Sequence, residues 1–232
     1  MSTVAIITAR GGSKRIPRKN IKDFMGKPMI AYAIQSAIAS QCFDEIMVST
    51  DSQEIARIAK EYGAKVPFMR SEKTSNDYAT TSEVLLEVLQ QYNEKGKVFD
   101  NLCCIYPCVP FLTSDNLKEA FTIFCQTGCD TLVPVVKYSF PIQRAFKINK
   151  DGLLEYREPE NSQKRTQDLE PMFHDVGMFY FTKTEHFLAS GLLVDGKISY
   201  IEMPETNVQD IDTPSDWELA EMKYRIIKGK TK

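Results

Sequence analysis

The sequence predicts an α/β protein in which a mostly parallel sheet carries helices on both faces. Three observations point there. Short apolar runs rich in β-branched residues alternate with amphipathic stretches in a strand, helix, strand, helix rhythm, which suits a parallel sheet because each parallel connection needs a crossover. The first run, residues 4–7, is apolar at every position, as in a strand covered on both faces. It passes directly into a glycine-rich basic loop, and the carboxyl ends of the strands are where an open α/β sheet keeps its crevice. The 232 residues, 43% hydrophobic and 26% charged, allow a sizeable core. The simplest organisation is one domain over residues 1–232 with a single insertion at 137–171.

The loop runs Arg10-Gly-Gly-Ser-Lys-Arg-Ile-Pro-Arg-Lys-Asn20. Arg10, Lys14, Arg15, Arg18, Lys19 and Lys22 all precede the first acidic residue, Asp23, in a chain of formal net charge -2. Gly11 and Gly12 would let backbone N–H groups approach an anion closely. The cations would neutralise charge that grows in a transition state. A solvated basic loop is the alternative, and a polyphosphate cradle is favoured because the glycines, Ser13 and the cations follow a strand directly. The spacing matches neither G-x-x-x-x-G-K-[ST] nor G-x-G-x-x-G, which argues against a P-loop kinase or a dinucleotide enzyme.

Beyond the loop, Pro28 opens a helix with Ile30, Ala33, Ile34, Ala37 and Ile38 on one face. Residues 46–50 read as the second strand. Asp51 reads as the cap of the next helix, with Glu54 three residues on and Ile55, Ile58 and Ala59 as its apolar face, ending at Gly63. A short extended piece at 66–69 and a polar irregular stretch at 70–79 precede a helix over 80–92, opened by Thr80 and Glu83. A strand at 102–106 stops at Pro107, a helix covers about 115–126, and a strand covers 131–136. The periodicity then breaks for the insertion, where Asp151-Gly152 marks a hairpin turn; an excursion of this kind is a lid or an interface element unless it is disordered. Strand character returns at 176–181 and 198–201.

The second chemical signal is Val208-Gln-Asp-Ile-Asp-Thr-Pro214. In an extended segment Asp210 and Asp212 would face one side while Ile211 faces the core. Two carboxylates so placed can hold Mg²⁺, which takes its other ligands from water and phosphate. Helix capping is the competing explanation: Thr213 as cap, Pro214 as first helical residue and Asp216 in the first turn account for Asp216 better than for Asp210 or Asp212.

Composition narrows the classes. The six cysteines form no C-x-x-C pair, and the two histidines, His174 and His186, lie far from them in sequence, so a zinc site would need a long-range coincidence. A pI near 5.8 with basic charge confined to one loop argues against nucleic-acid binding. No apolar leader follows Met1 and no run approaches a membrane span, so a cytoplasmic protein with no membrane partner is expected.

Together the loop and the D-x-D segment resemble those of the acylneuraminate cytidylyltransferases, the enzymes that make CMP-activated sialic acids and related nine-carbon sugars. Residues 9–20 resemble their fingerprint loop almost residue for residue, and Asp210-Ile-Asp-Thr-Pro-Ser-Asp-Trp217 resembles their metal motif. The likeness takes in Ser49-Thr-Asp51, Tyr78-Ala-Thr-Thr81 and Asp168-Leu-Glu-Pro171 and runs through almost the whole chain. It implies a Rossmann-like sheet of the nucleotide-diphospho-sugar transferase type and the attack of a keto-sugar's anomeric hydroxyl on the α-phosphate of CTP, with Mg²⁺ as cofactor. It further implies that Arg10 and Lys19 hold the triphosphate with the backbone of Gly11, Gly12 and Ser13 around it, that Asn20, Arg70, Ala79 and Thr80 frame the nucleoside, and that Asp210 and Asp212 hold the metal. Arg10, Lys19 and Asp212 are the residues expected to carry the chemistry. The family's dimers imply that 137–171 is a dimerisation element from which Arg165 reaches the neighbouring sugar site, with Tyr180 near the sugar. Sialic acid enzymes usually carry glutamine where this chain has Tyr106 and a more polar residue in place of Val176. Here Tyr106-Pro-Cys-Val-Pro-Phe111 and His174-Asp-Val-Gly177 look more like the pseudaminate cytidylyltransferases of bacteria. The alternatives are activation of another nonulosonic acid, a CTP-binding sensor without turnover, and a glycosyltransferase that uses D-x-D to hold a sugar nucleotide.

Overall fold

The computed structural model describes residues 1–229. In chain order its elements are β1 (Thr3–Thr8), β2 (Asp23–Phe24), β3 (Lys27–Pro28), α1 (Ile30–Ser40), β4 (Glu45–Ser49), α2 (Gln53–Glu61), α3 (Glu72–Ser75), α4 (Thr81–Glu94), β5 (Asn101–Ile105), α5 (Ser114–Thr127), β6 (Thr131–Lys137), β7 (Phe146–Ile148), β8 (Leu154–Tyr156), β9 (Phe173–Asp175), β10 (Phe179–Lys183), α6 (Thr184–Ser190), β11 (Ile198–Glu202) and α7 (Pro214–Gly229). The main sheet has the order β11-β6-β10-β5-β1-β4, with β9 paired to β6 beside it. β1 is parallel to β4 and β5, and β11 is parallel to β6. The mostly parallel α/β sheet read from the sequence is therefore present. Its exceptions are β9, antiparallel to β6, and β10, which lies between β5 and β6 and runs antiparallel to both. The chain reaches β10 from the excursion after β6, not through a crossover helix, so it re-enters from the carboxyl edge and runs the other way.

Burial follows the period of two expected of a strand covered on both faces. Ala5 and Ile7 of β1 pack into one core with Ile34 and Ala37 of α1 and Leu117 and Phe124 of α5, whereas Val4 and Ile6 pack into another with Leu85, Val88 and Leu89 of α4 and Phe187 of α6. A third, smaller core sits under the basic loop. It joins Ile16 of the loop and Phe24 of β2 to Tyr32 of α1, Ile211, and Trp217 and Ala220 of α7. Phe24 is its centre, with edge-on ring contacts to Trp217 at 5.4 Å, Tyr224 at 5.5 Å and Tyr32 at 5.6 Å.

Four local readings change. α2 is capped by Ser52, whose hydroxyl accepts the Ile55 N–H, and not by Asp51. Pro28 closes β3, and α1 starts at Ile30, because the Met29 N–H donates to the Lys22 carbonyl across the β2–β3 hairpin at 3.0 Å. The run at 176–181 is not one strand: β9 ends before it at Asp175 and β10 begins at Phe179, with Gly177 between them at a φ of 61° that takes it out of extended geometry. Residues 93 and 94 still belong to α4, beyond the expected end at 92, while its opening Thr80–Glu83 capping box is as read. In the segment after β6, β7 and β8 form a hairpin with Phe146 opposite Tyr156, turning at Gly152, and it leaves Ile148, Leu153 and Leu154 exposed.

Candidate active site

The basic loop leaves the carboxyl end of β1 and borders a cavity of about 380 Å³. Thr8, Pro107 and Asn20 share its wall with the charged groups of Arg10, Lys14, Arg15, Lys19 and Asp212. Asn20 is buried and braces the loop: its Nδ2 donates to the Arg10 carbonyl at 2.8 Å, and its Oδ1 receives the Cys108 thiol at 3.2 Å. Burial pushes that thiol up to about 12, against the pull of Lys19, so Cys108 acts as a neutral donor. Gly11 is the glycine that close packing requires, since a Cβ there would meet the Cβ of Ser52 at 3.2 Å; a Cβ at Gly12 would meet nothing within 4 Å. The Gly11 N–H donates to Asp51 Oδ1 at 2.8 Å. Asp51 thus secures the loop, a role its capping pattern in the sequence concealed.

Each loop cation has an acidic or carbonyl partner. Arg10 donates to Asp77 Oδ1 at 2.7 Å and to the Asn76 carbonyl at 3.2 Å, and Lys14 holds the other Asp77 oxygen. Those two cations, Lys14 first, keep the Asp77 carboxyl below the usual carboxylate range. Arg15 pairs with Asp212 at 2.9 Å, and Lys19 donates to the Ile211 carbonyl at 2.6 Å with Asp212 at 3.4 Å. Arg10 therefore connects the loop to the 76–80 stretch, where Ala79 is half-buried and Thr80 caps α4. Arg70 is buried beneath, donating to the Ser49 hydroxyl at 3.1 Å and to its carbonyl at 2.7 Å. Burial lowers its pKa while Asp51 and Glu87 act in the opposite direction. Arg70, Ala79 and Thr80 lie outside the lining of this cavity.

Asp210 and Asp212 stand on either side of a buried Ile211; Asp212 lines this cavity, and Asp210 lines the space next to it. Asp216 is turned away to the start of α7. Its carboxylate accepts the Thr213 N–H at 2.7 Å, the Thr213 hydroxyl at 2.8 Å and the Asp212 N–H at 3.1 Å, which hold its pKa down, with the hydroxyl contributing most. Among the described residues no group of three or more acidic, histidine or cysteine side chains is arranged for a metal. Two carboxylates beside a cationic cavity fit magnesium nonetheless, because that ion completes its shell with phosphate oxygens and water.

A second cavity of about 480 Å³ lies on the other side of this segment, lined by Tyr106, His174, Asp175, Val176, Gly177, Val208, Gln209 and Asp210. Neighbouring residues divide between the two spaces: Pro107 and Asp212 face the first, Tyr106 and Asp210 the second. The Tyr106 hydroxyl is 3.4 Å from that of Thr81, and its ring meets Tyr180 edge-on at 5.8 Å. Tyr180 is buried behind Tyr106, off the cavity wall, and its hydroxyl donates to Asp175 Oδ2 at 2.6 Å. Arg165 is exposed on the segment after β6, joined to Asp168 at 2.8 Å and 3.2 Å, and lines neither cavity of its own chain. Asp77 is the site residue that sequence reasoning missed, a single aspartate in a polar stretch with no spacing signal, while Asp51 and Asp175 lay within quoted motifs without an assigned role in the site.

Comparison with known proteins adds three findings. A family model described as cytidylyltransferase matches residues 4–185. Pseudaminic acid cytidylyltransferase of Campylobacter jejuni is 39% identical over 226 residues, covering 97% of each chain, and the CMP-N,N'-diacetyllegionaminic acid synthase of Legionella pneumophila is 32% identical over 95% of each. Among solved structures, CMP:2-keto-3-deoxy-manno-octonic acid synthetase complexed with CTP superposes with a TM-score of 0.71 at 18% identity, over 99% of this chain and 100% of that one, a likeness of fold.

Proposed function

The chain belongs to the cytidylyltransferase family, and from that premise we propose that it is an enzyme joining CMP from CTP to pseudaminic acid with release of pyrophosphate. The observation that carries this reading is the pair of adjoining cavities, one cationic and one walled by Tyr106, with Asp210 and Asp212 between them. A triphosphate in the first and a sugar acid in the second bring an anomeric hydroxyl to the α-phosphate. The new P–O bond forms there as the bond to the pyrophosphate leaving group breaks. Most of the catalysis is then positioning and charge neutralisation. Arg10 and Lys19 exchange Asp77, Asp212 and the Ile211 carbonyl for phosphate oxygens, and Arg70 and the 76–80 stretch border the nucleoside. Asp210 and Asp212 hold magnesium, which when bound neutralises phosphate oxygens as a Lewis acid.

The sugar assignment rests on the second cavity. Tyrosine offers one hydroxyl on a large apolar ring where glutamine would offer both donors and acceptors. Pseudaminate lacks the 9-hydroxyl of N-acetylneuraminate and carries a second acylated nitrogen, so it presents more apolar surface to Tyr106 and to the buried Val176. We further propose a homodimer built through residues 137–171, in which Arg165 completes the neighbour's sugar site; the exposed Phe146, Ile148, Leu153 and Leu154 give that segment an apolar face to cover. The reaction is assigned to the cytoplasm, where CTP is available; among the described residues no helix is long and apolar enough to cross a membrane.

Pyrophosphate release with CTP, Mg²⁺ and a panel of nonulosonic acids tests the reading. Pseudaminate should give the highest kcat/KM, and Tyr106→Gln should narrow its lead over N-acetylneuraminate. Equal kcat/KM for both sugars in the unmodified enzyme would remove the sugar assignment and leave cytidylyl transfer standing, whereas CTP binding without release under any sugar would indicate a sensor.

A further inference from the structure

We infer that Asp175 is a specificity-determining residue of the second cavity, accepting the N–H of the second acylamino group of the sugar acid, where N-acetylneuraminate carries a hydroxyl, with Tyr180 as the residue that positions it. The inference rests on the nonulosonate reading above and names the contact that selects the sugar.

Asp175 ends β9 and lines the cavity beside Tyr106 and Asp210. Both of its oxygens are fixed: Oδ1 accepts the Gly177 N–H at 2.8 Å and Oδ2 accepts the Tyr180 hydroxyl at 2.6 Å. Both holders are neutral donors. An ionised carboxylate only accepts, with about four lone-pair positions, and two are taken here. The side chain is exposed toward the cavity, which leaves the others open to a ligand.

A sugar acid brings a carboxylate of its own into a space that already holds Asp175 and Asp210. Unless Asp175 meets a donor, it repels the ligand and loses hydration without return. An amide N–H is a donor with no lone pair to satisfy, and the acyl methyl beyond it needs an apolar surface. The Tyr106 ring, held edge-on by the same Tyr180 whose hydroxyl fixes Asp175, supplies that surface. A hydroxyl in the same place could donate to Asp175, but its own lone pairs would face the ring unpaired, which is the source of discrimination in sites built around a polar anchor. Tyr180 thus sets the acceptor and the apolar wall at a fixed spacing without touching the sugar, and burial together with Asp175 raises its pKa, so it stays a donor.

The test is binding of pseudaminate and of N-acetylneuraminate by calorimetry in the presence of a non-reactive CTP analogue and Mg²⁺, beside turnover. Asp175→Asn should weaken pseudaminate binding about 10- to 100-fold, the scale of a hydrogen bond to a charged group, and cut its kcat/KM lead over N-acetylneuraminate at least about tenfold. The KM for CTP should stay unchanged. Tyr180→Phe should move the same ratio in the same direction by about threefold, and it decides the matter if Asp175→Asn does not fold. An unchanged ratio, or equal losses for both sugars, would reduce Asp175 to a brace for the Gly177 turn and overturn the inference while leaving the nonulosonate reading intact. An unmodified enzyme that turns over no nonulosonic acid would overturn both together.

Discussion

Lys19 is the loop cation most enclosed by protein, 21% exposed against 66% for Arg15 and 77% for Lys14, and it alone touches the backbone of the D-x-D segment. A charge so sheltered is screened least by solvent and has most to contribute as the phosphates are displaced. Lys19→Ala should lower kcat at least about a hundredfold with Tm unchanged; single-turnover kinetics with CTP would show it, and unchanged turnover would return the loop to a solvated role. The acidic residues divide by partner. Asp216 spends its carboxylate on Thr213 and the Asp212 N–H, so Asp216→Asn should lower Tm and leave the magnesium requirement nearly as it was. Asp212→Asn should raise the magnesium needed for half-maximal turnover about tenfold, and equal metal titrations for the two variants would erase the distinction. This division was legible in the sequence, because Thr213-Pro214 announces a helix start. The contact of Asp51 was not: its position after the second strand sets it at the crevice, but its spacing to Glu54 satisfies a capping pattern, and only the fold brings it within 2.8 Å of the Gly11 N–H.

At the scale of elements, the third core decides whether the site exists. Ile16 and Ile211 come from opposite ends of the chain, yet both pack around Phe24 and Trp217, so the basic loop and the two aspartates stand on one apolar base. Phe24→Ala should cost about 3 to 5 kcal/mol, as large deletions in closed cores do, and should also weaken CTP binding although Phe24 lines neither cavity. Urea denaturation paired with CTP titration checks both parts; a stability loss with unaltered CTP affinity would mean that the base does not transmit to the loop. Sequence reasoning found the strands and long helices because their periodicity is strong, as in α4 and α5, whose capping boxes and apolar faces agree. It passed over this core, whose members are single aromatic and aliphatic residues scattered among β2, α1 and α7 with no shared period. It also read 176–181 as one strand, since nothing in Val-Gly-Met states that Gly177 turns positive in φ.

For the whole molecule, the question is whether one chain holds a complete site. Arg165 is 72% exposed and stands away from both cavities of its own chain. If it serves the partner's sugar site, mixing an Arg165→Ala subunit with a Lys19→Ala subunit should restore one working site in each mixed dimer. At equal mixing about half of the dimers would be mixed, and activity near a quarter of the unmodified enzyme is expected from site counting alone. No recovery in well-exchanged dimers would place each site within a single chain.

The position of β10 matters before any dimer forms. A ribosome delivers β5 and β6 while the strand that belongs between them is still unmade, with the whole excursion through β7, β8 and β9 yet to be synthesised. During that interval two apolar strands have edges that can pair with each other or with a neighbouring nascent chain. A message cut short before Phe179 should therefore yield an aggregation-prone fragment and not a smaller enzyme, because the edges of β5 and β6 stay open without β10.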